Sequence, residues 1–186
     1  MHDDAPQELA LWLREVIEDF ISNSPENTLQ NQANDKAFVN PLVGFCRGDD
    51  SLFDALKDHV GPFHWTPGEI FEETFPGSGV APGGLTVISW VLPHIKATKE
   101  DNRKERAFPS ERWARGRIFG EMVNTGLRRH VVDALMGRGF KAVAPSLAAH
   151  FERKISDKYG FASTWSERHI AHACGLGTFG LCDGLI

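Results

Sequence analysis

The sequence predicts an α/β (α+β) sandwich, a mixed sheet flanked by helices, on three observations. Apolar residues recur at helical spacing in two long segments, near the N-terminus and over residues 109–138. An uninterrupted apolar run, Leu85-Thr-Val-Ile-Ser-Trp-Val-Leu92, has the composition of a strand covered on both faces. Helix-like and strand-like segments also alternate along the chain, as they do when helices pack on a sheet.

The elements follow in order. Residues 7–22 form an amphipathic helix with Leu9, Leu13, Val16, Ile17 and Phe20 on one face, ended by Ser24-Pro25. Residues 23–37 are a polar loop. Phe38–Phe45 is a short extended piece, and Cys46-Arg-Gly-Asp-Asp50 a turn. Ser51–His59 is a short helix with Leu52, Phe53 and Leu56 inward. The aromatic cluster Phe63-His-Trp-Thr-Pro67 leads into a helix over Pro67–Phe75, with proline in its first turn. Pro76–Gly84 is a flexible loop. Pro93 closes the strand 85–92, and residues 94–107 are polar and exposed. The long helix from Pro109 to about Arg138 buries Trp113, Phe119, Met122, Val123, Leu127, Val131 and Leu135, and Gly137-Arg-Gly139 stops it. A second strand is expected over Lys141–Pro145, then a helix over Ser146–Ser156 with Leu147 and Phe151 inward. Thr164-x-x-Glu167 matches a capping box for a helix running to about Cys174. The last six residues read as a third strand. No internal repeat and no domain boundary interrupts this order, so residues 1–186 read as one domain.

Composition narrows the function classes. A length of 186 residues with 41% hydrophobic and 24% charged content suits a soluble domain with a sizeable core. No apolar run approaches the roughly 18 residues of a membrane span. The start, Met1-His-Asp-Asp, is acidic and unlike a signal peptide, so a cytoplasmic protein with no membrane partner is expected. Cys46, Cys174 and Cys182 are too few and too scattered for a disulfide framework, and they read as free thiols. An iron–sulfur cluster needs about four closely spaced thiolates, which this chain does not offer. Net charge is −5, yet residues 96–141 carry twelve Lys/Arg against six Asp/Glu. That excess permits an anionic partner such as tRNA, although interleaved acids weaken the case.

Chemistry concentrates in the tail. Gly175, Gly177 and Gly180 are spaced G-x-G-x-x-G. They follow a helix, whereas a dinucleotide fingerprint precedes one and seats the pyrophosphate on its N-terminus. A Rossmann site is therefore excluded, leaving a tight turn or a ligand-facing loop. His169 and His172 stand three apart with Cys174 two further on, a weak metal pattern and more simply a pair of hydrogen-bonded histidines. Arg168, near a helix start, could bind an anion or pair with Glu167 or Asp157. Tyr159, the one tyrosine, could donate a proton. No G-x-S-x-G elbow supports serine hydrolysis.

The 22 residues from Trp165-Ser-Glu-Arg-His-Ile-Ala-His-Ala-Cys through Gly-Leu-Gly-Thr-Phe-Gly-Leu-Cys-Asp-Gly-Leu-Ile186 resemble the signature of epoxyqueuosine reductases and related iron–sulfur proteins. There a Ser-acid-Arg helix leads into a Gly-Leu-Gly-x-x-Gly turn and an apolar Leu-Ile strand. The likeness extends back to about residue 84, through the strand Val87–Leu92 and the helix after Pro109-Ser-Glu-Arg-Trp113. It implies a nitroreductase-like three-layer sandwich that binds cobalamin. Ser166, Arg168, Gly175, Gly177, Phe179, Gly180, Cys182 and Leu185 would then fall in or near the corrinoid surface. It also implies that Ile186 precedes a ferredoxin-like module with two [4Fe–4S] clusters, an electron source in cis. A separate electron-donor protein is the alternative. Substrate could be a small molecule or a tRNA.

The sequence departs from the family where an acid is expected five residues before Ser166. That position is Phe161, which cannot donate a proton. Tyr159 is a substitute. Two other readings stay open: a non-catalytic corrinoid- or partner-binding module, and a flavin-binding nitroreductase-like protein.

Overall fold

The computed structural model describes residues 4–182 and 184–186, with side chains from Gln7 onward. The fold is mixed α/β: six α-helices and four short strands in two two-stranded sheets among the described residues. The chain divides into two compact units. One comprises residues 1–42 and 92–142, the other residues 43–91 and 143–186.

The first unit is helical. Helix α1 (Asp4–Asn23) buries Leu13, Ile17 and Ile21 and packs on the long helix α5 (Glu111–Gly137). Helix α5 buries Val123, Leu127, Val131 and Leu135, a stripe four residues apart as helical geometry requires. Asn27 ties the end of α1 to the following loop. Its amide donates to the carbonyls of Ile21 and Phe38 at 2.7 and 3.0 Å and accepts from the Phe38 N–H at 3.0 Å. Helix α4 (Lys96–Lys104) packs on α5 across a guanidinium clamp, in which Arg112 bonds Asp35 at 2.9 Å and also Asp101. Gly116 and Gly120 make a shallow groove on α5. A Cβ at Gly120 would lie 2.6 Å from the Phe38 ring, and one at Gly116 2.7 Å from His94.

The second unit starts from a two-stranded sheet, β1 (Leu42–Arg47) with β2 (Thr86–Val91). Helices α2 (Leu52–His59) and α3 (Pro67–Thr74) lie between these strands in the chain. Helix α3 opens on a complete capping box, Thr66 with Glu69. A hairpin of β3 (Arg153–Ser156) and β4 (Gly160–Ser163) precedes helix α6 (Glu167–Ala173). Phe53, Leu56, Val60, Ile70, Val87, Trp165, Ile170 and Cys174 form its core.

Several expectations need correction. Residues 85–92 do not lie inside a wide covered sheet: β2 has β1 as its one partner among the described strands, and only Val87 and Ser89 are buried. Leu52, Trp113 and Met122 are exposed instead of fully inward, because they sit beside their helices' buried stripes. Residues 94–107 include the unforeseen helix α4, with Thr98 fully buried. No strand forms at Lys141–Pro145. The helix expected over Ser146–Ser156 is a single 3-10 turn, Pro145–Leu147, followed by β3. Leu147 is exposed. The Thr164–Glu167 capping box is not made, since both groups are engaged elsewhere. Thr164 accepts the Glu152 N–H at 3.2 Å, and Glu167 accepts from the Ser146 hydroxyl at 2.9 Å.

Part of the basic stretch is ion-paired. Besides the Arg112 clamp, Arg115 bonds Glu111 at 2.7 Å and Arg128, 5% exposed, bonds Glu121 at 2.8 Å. Among the described residues no helix is long and apolar enough to cross a membrane.

Candidate functional site

Helix α6 is only seven residues long, too short to persist without partners at both ends. At its start, Ser166 is the N-cap residue. Its N–H donates to His64 Nε2 at 3.1 Å, and its hydroxyl meets His169 Nδ1 at 2.7 Å. His64 is wholly buried and lies parallel to Trp165, ring centroids 6.0 Å apart. Because Nε2 accepts, the neutral ring carries its proton on Nδ1. Burial holds the His64 pKa down to about 4, so the ring is neutral at pH 7.

At the other end the helix stops in a Schellman turn. The Gly175 N–H donates to the His172 carbonyl and the Leu176 N–H to the Ala171 carbonyl, both at 2.9 Å. Gly175 takes the left-handed conformation this needs, φ +74°. His172 Nδ1 then donates to the Gly177 carbonyl at 2.8 Å, pinning the turn to the helix.

A small hairpin follows where a third strand was expected. Thr178 and Ile186 exchange backbone hydrogen bonds at 2.8 Å, and the Gly180 N–H donates to the Gly184 carbonyl at 2.9 Å. Asp183, part of that expected strand, lies outside the described residues. Gly177 is required by this closure, because a Cβ there would lie 2.7 Å from the Ile186 carbonyl oxygen. Phe179 packs against both His169 and His172, centroids 4.7 and 5.5 Å away. Beyond it the hairpin is exposed and apolar: Leu181 is fully exposed and Ile186 79% exposed.

The structure thus brings Ser166, Gly175, Gly177, Phe179, Gly180 and Leu185 together around α6 and its hairpin, with Arg168 and Cys182 exposed beside them. Tyr159 and Phe161 belong to the β3–β4 hairpin instead. The Lys158 ammonium lies over the Tyr159 ring, and Phe161 is 76% exposed opposite Ile155. Among the described residues no group of three His, Cys, Asp or Glu is placed to hold a metal, and His169 and His172 are engaged with Ser166 and Gly177.

Sequence reasoning missed His64, 102 positions from Ser166. Its one signal was a histidine set among aromatic residues with no neighbouring charge. It also missed Gly44 on β1, where a Cβ would collide with the carbonyl oxygen of Cys174.

No protein-family model matches this chain, and no curated protein or solved structure matches it.

Proposed function

We propose that this chain is the N-terminal corrinoid-binding part of an epoxyqueuosine-reductase-like iron–sulfur oxidoreductase, cytoplasmic and built as part of a nitroreductase-like sandwich. The observation that carries the proposal is the arrangement of residues 166–186. A polar helix start leads through a left-handed glycine into a hairpin whose outer face is apolar. A corrinoid has a broad apolar ring edged with amides, and the residues present fit it. Gly175 has open space beside its α-carbon, Leu181 and Ile186 offer apolar surface, and Arg168 is exposed. Gly177 and Gly180 act from behind, letting the chain's own Ile186 close against the turn.

Cobalamin bound here would supply the redox-active cobalt, while the chain binds and orients it. Electrons would come from a ferredoxin-like [4Fe–4S] module in cis or from a donor protein. The substrate would be a small molecule or a tRNA-borne group.

Adding cob(II)alamin to the purified chain tests this. Co-elution on a desalting column with an altered EPR spectrum is expected, and Leu181→Glu should weaken binding by about tenfold, the cost of roughly one apolar contact replaced by a charge. Complete separation with an unchanged spectrum overturns the proposal, as does a yellow chromophore that co-purifies and marks a flavin site.

Phe161 favours a second reading, a non-catalytic corrinoid- or partner-binding module. Its exposed phenyl ring stands where the family resemblance calls for an acid. A coding sequence beyond Ile186 containing a C-x-x-C-x-x-C-x-x-x-C-P run would favour the enzyme, and a stop codon the module.

A further inference from the structure

Two of the three cysteines meet although 128 residues separate them. Cys46 Sγ, on β1, lies 3.0 Å from Cys174 Sγ, at the C-cap of α6. We propose that Cys46 and Cys174 form a reversible thiol–disulfide site that takes low-molecular-weight disulfides as its oxidant.

Three features of the pair support this. First, the backbones are already close. Gly44 lies against the carbonyl of Cys174 with no room for a side chain, so β1 and the end of α6 are held together independently of the thiols. A disulfide spans about 2.05 Å between sulfurs. The thiols therefore need to approach by only about 1 Å, within the range of a side-chain torsion adjustment. Second, the two thiols are unequal. Cys46 is partly exposed, whereas Cys174 is 8% exposed and also faces the Val87 carbonyl at 3.8 Å. An attacking thiol must be reachable, and a resolving thiol must be adjacent but shielded. Third, the hydrogen bond between the sulfurs favours the Cys46 thiolate. It pulls the Cys46 thiol down, while the same contact and burial push Cys174 up.

The exchange balances without any metal or cofactor. The Cys46 thiolate attacks one sulfur of the small disulfide and releases a thiolate. Cys174 then displaces the second small thiol from Cys46, and its proton leaves with that thiol. In sum, two protein thiols and one small disulfide give one protein disulfide and two small thiols. The product would tie β1 covalently to the residue immediately before Gly175, and so to the start of the glycine turn. None of this depends on corrinoid binding.

Oxidised glutathione is the probe. Incubated with the native chain and then removed, it should lower the thiols titrated after denaturation from three to one. Trypsin should then release residues 37–47 joined to residues 169–186. The second peptide holds both Cys174 and Cys182, so Cys182→Ser identifies the partner: the link should persist in that variant. In Cys174→Ser the product should be a stable glutathione adduct on Cys46. The native chain should also form the link at least about tenfold faster than the chain in urea, because the fold pre-positions the sulfurs. Loss of the link in Cys182→Ser, glutathione adducts in place of the link, or equal rates in buffer and urea would each overturn the proposal.

Discussion

Helices α5 and α6 are held in opposite ways, and the contrast shows where each unit is vulnerable. Over its 27 residues α5 buries a continuous apolar stripe, so its stability is spread over many contacts. The seven residues of α6 bury Ile170 and Ala171, and directed hydrogen bonds at both ends do the rest: His64 and Ser166 before it, Gly175 and Leu176 after it. Removing volume should harm the first, whereas changing a protonation state or a backbone preference should harm the second.

The largest effect is expected on α5. Leu127 is fully buried, so Leu127→Ala should cost about 3 kcal/mol through lost burial and the cavity left behind. Met122, on the same helix but 55% exposed, is the internal control: Met122→Ala should change stability by less than about 0.5 kcal/mol. Urea denaturation of both variants checks the pair. Similar losses would mean that the stripe does not carry the helix.

Next comes His64, which acts on α6. Its folded pKa of about 4 lies below the ordinary 6.5 because burial disfavours the charged ring. The unfolded chain therefore takes up the proton first as pH falls. The stabilisation from a neutral His64 is complete above about pH 6.5 and is lost progressively down to about pH 4, a change of about 3 kcal/mol. His64→Gln keeps an acceptor for the Ser166 N–H but cannot titrate. Relative to that variant, the native chain should lose about 3 kcal/mol between pH 7 and pH 4. Parallel stability curves would show that His64 does not couple acid to α6.

Legibility follows the same contrast. The Val123, Leu127, Val131 and Leu135 stripe can be read directly, because four-residue spacing in a helix is a local property. Trp113 and Met122 mislead, since apolar character alone does not say which face another element covers. The β3–β4 hairpin is hidden by its composition: Arg153-Lys-Ile-Ser156 is nearly all polar, and Leu147 and Phe151, four apart, imitate a helix face. At the site, the glycine turn after α6 is legible because glycine reports a local backbone need. The approaches of His64 to Ser166 and of Cys46 to Cys174 are not, because each joins positions more than 100 residues apart. Gly44 carries the same lesson, since its reason lies on another element.

The smallest effects separate the two helix ends by sign. Gly137 is the last residue of α5, whereas Gly175 is the left-handed residue that closes α6, as Gly139 (φ +85°) closes α5, and a Cβ would meet nothing within 4 Å at Gly137 or Gly175. Sterics therefore predict no difference between them, but backbone conformation does. Gly175 is left-handed at φ +74°, where an alanine is strained, so Gly175→Ala should lose about 1 kcal/mol. Gly137 lies within α5 and has no such requirement, and Gly137→Ala should gain about 0.5 kcal/mol from helix propensity and a less flexible unfolded chain. Thermal melts of the two single variants would read a fall for one and a rise for the other. A fall of equal size in both would mean that a helical and a left-handed glycine are equally required, and that backbone conformation does not set the difference between the two positions.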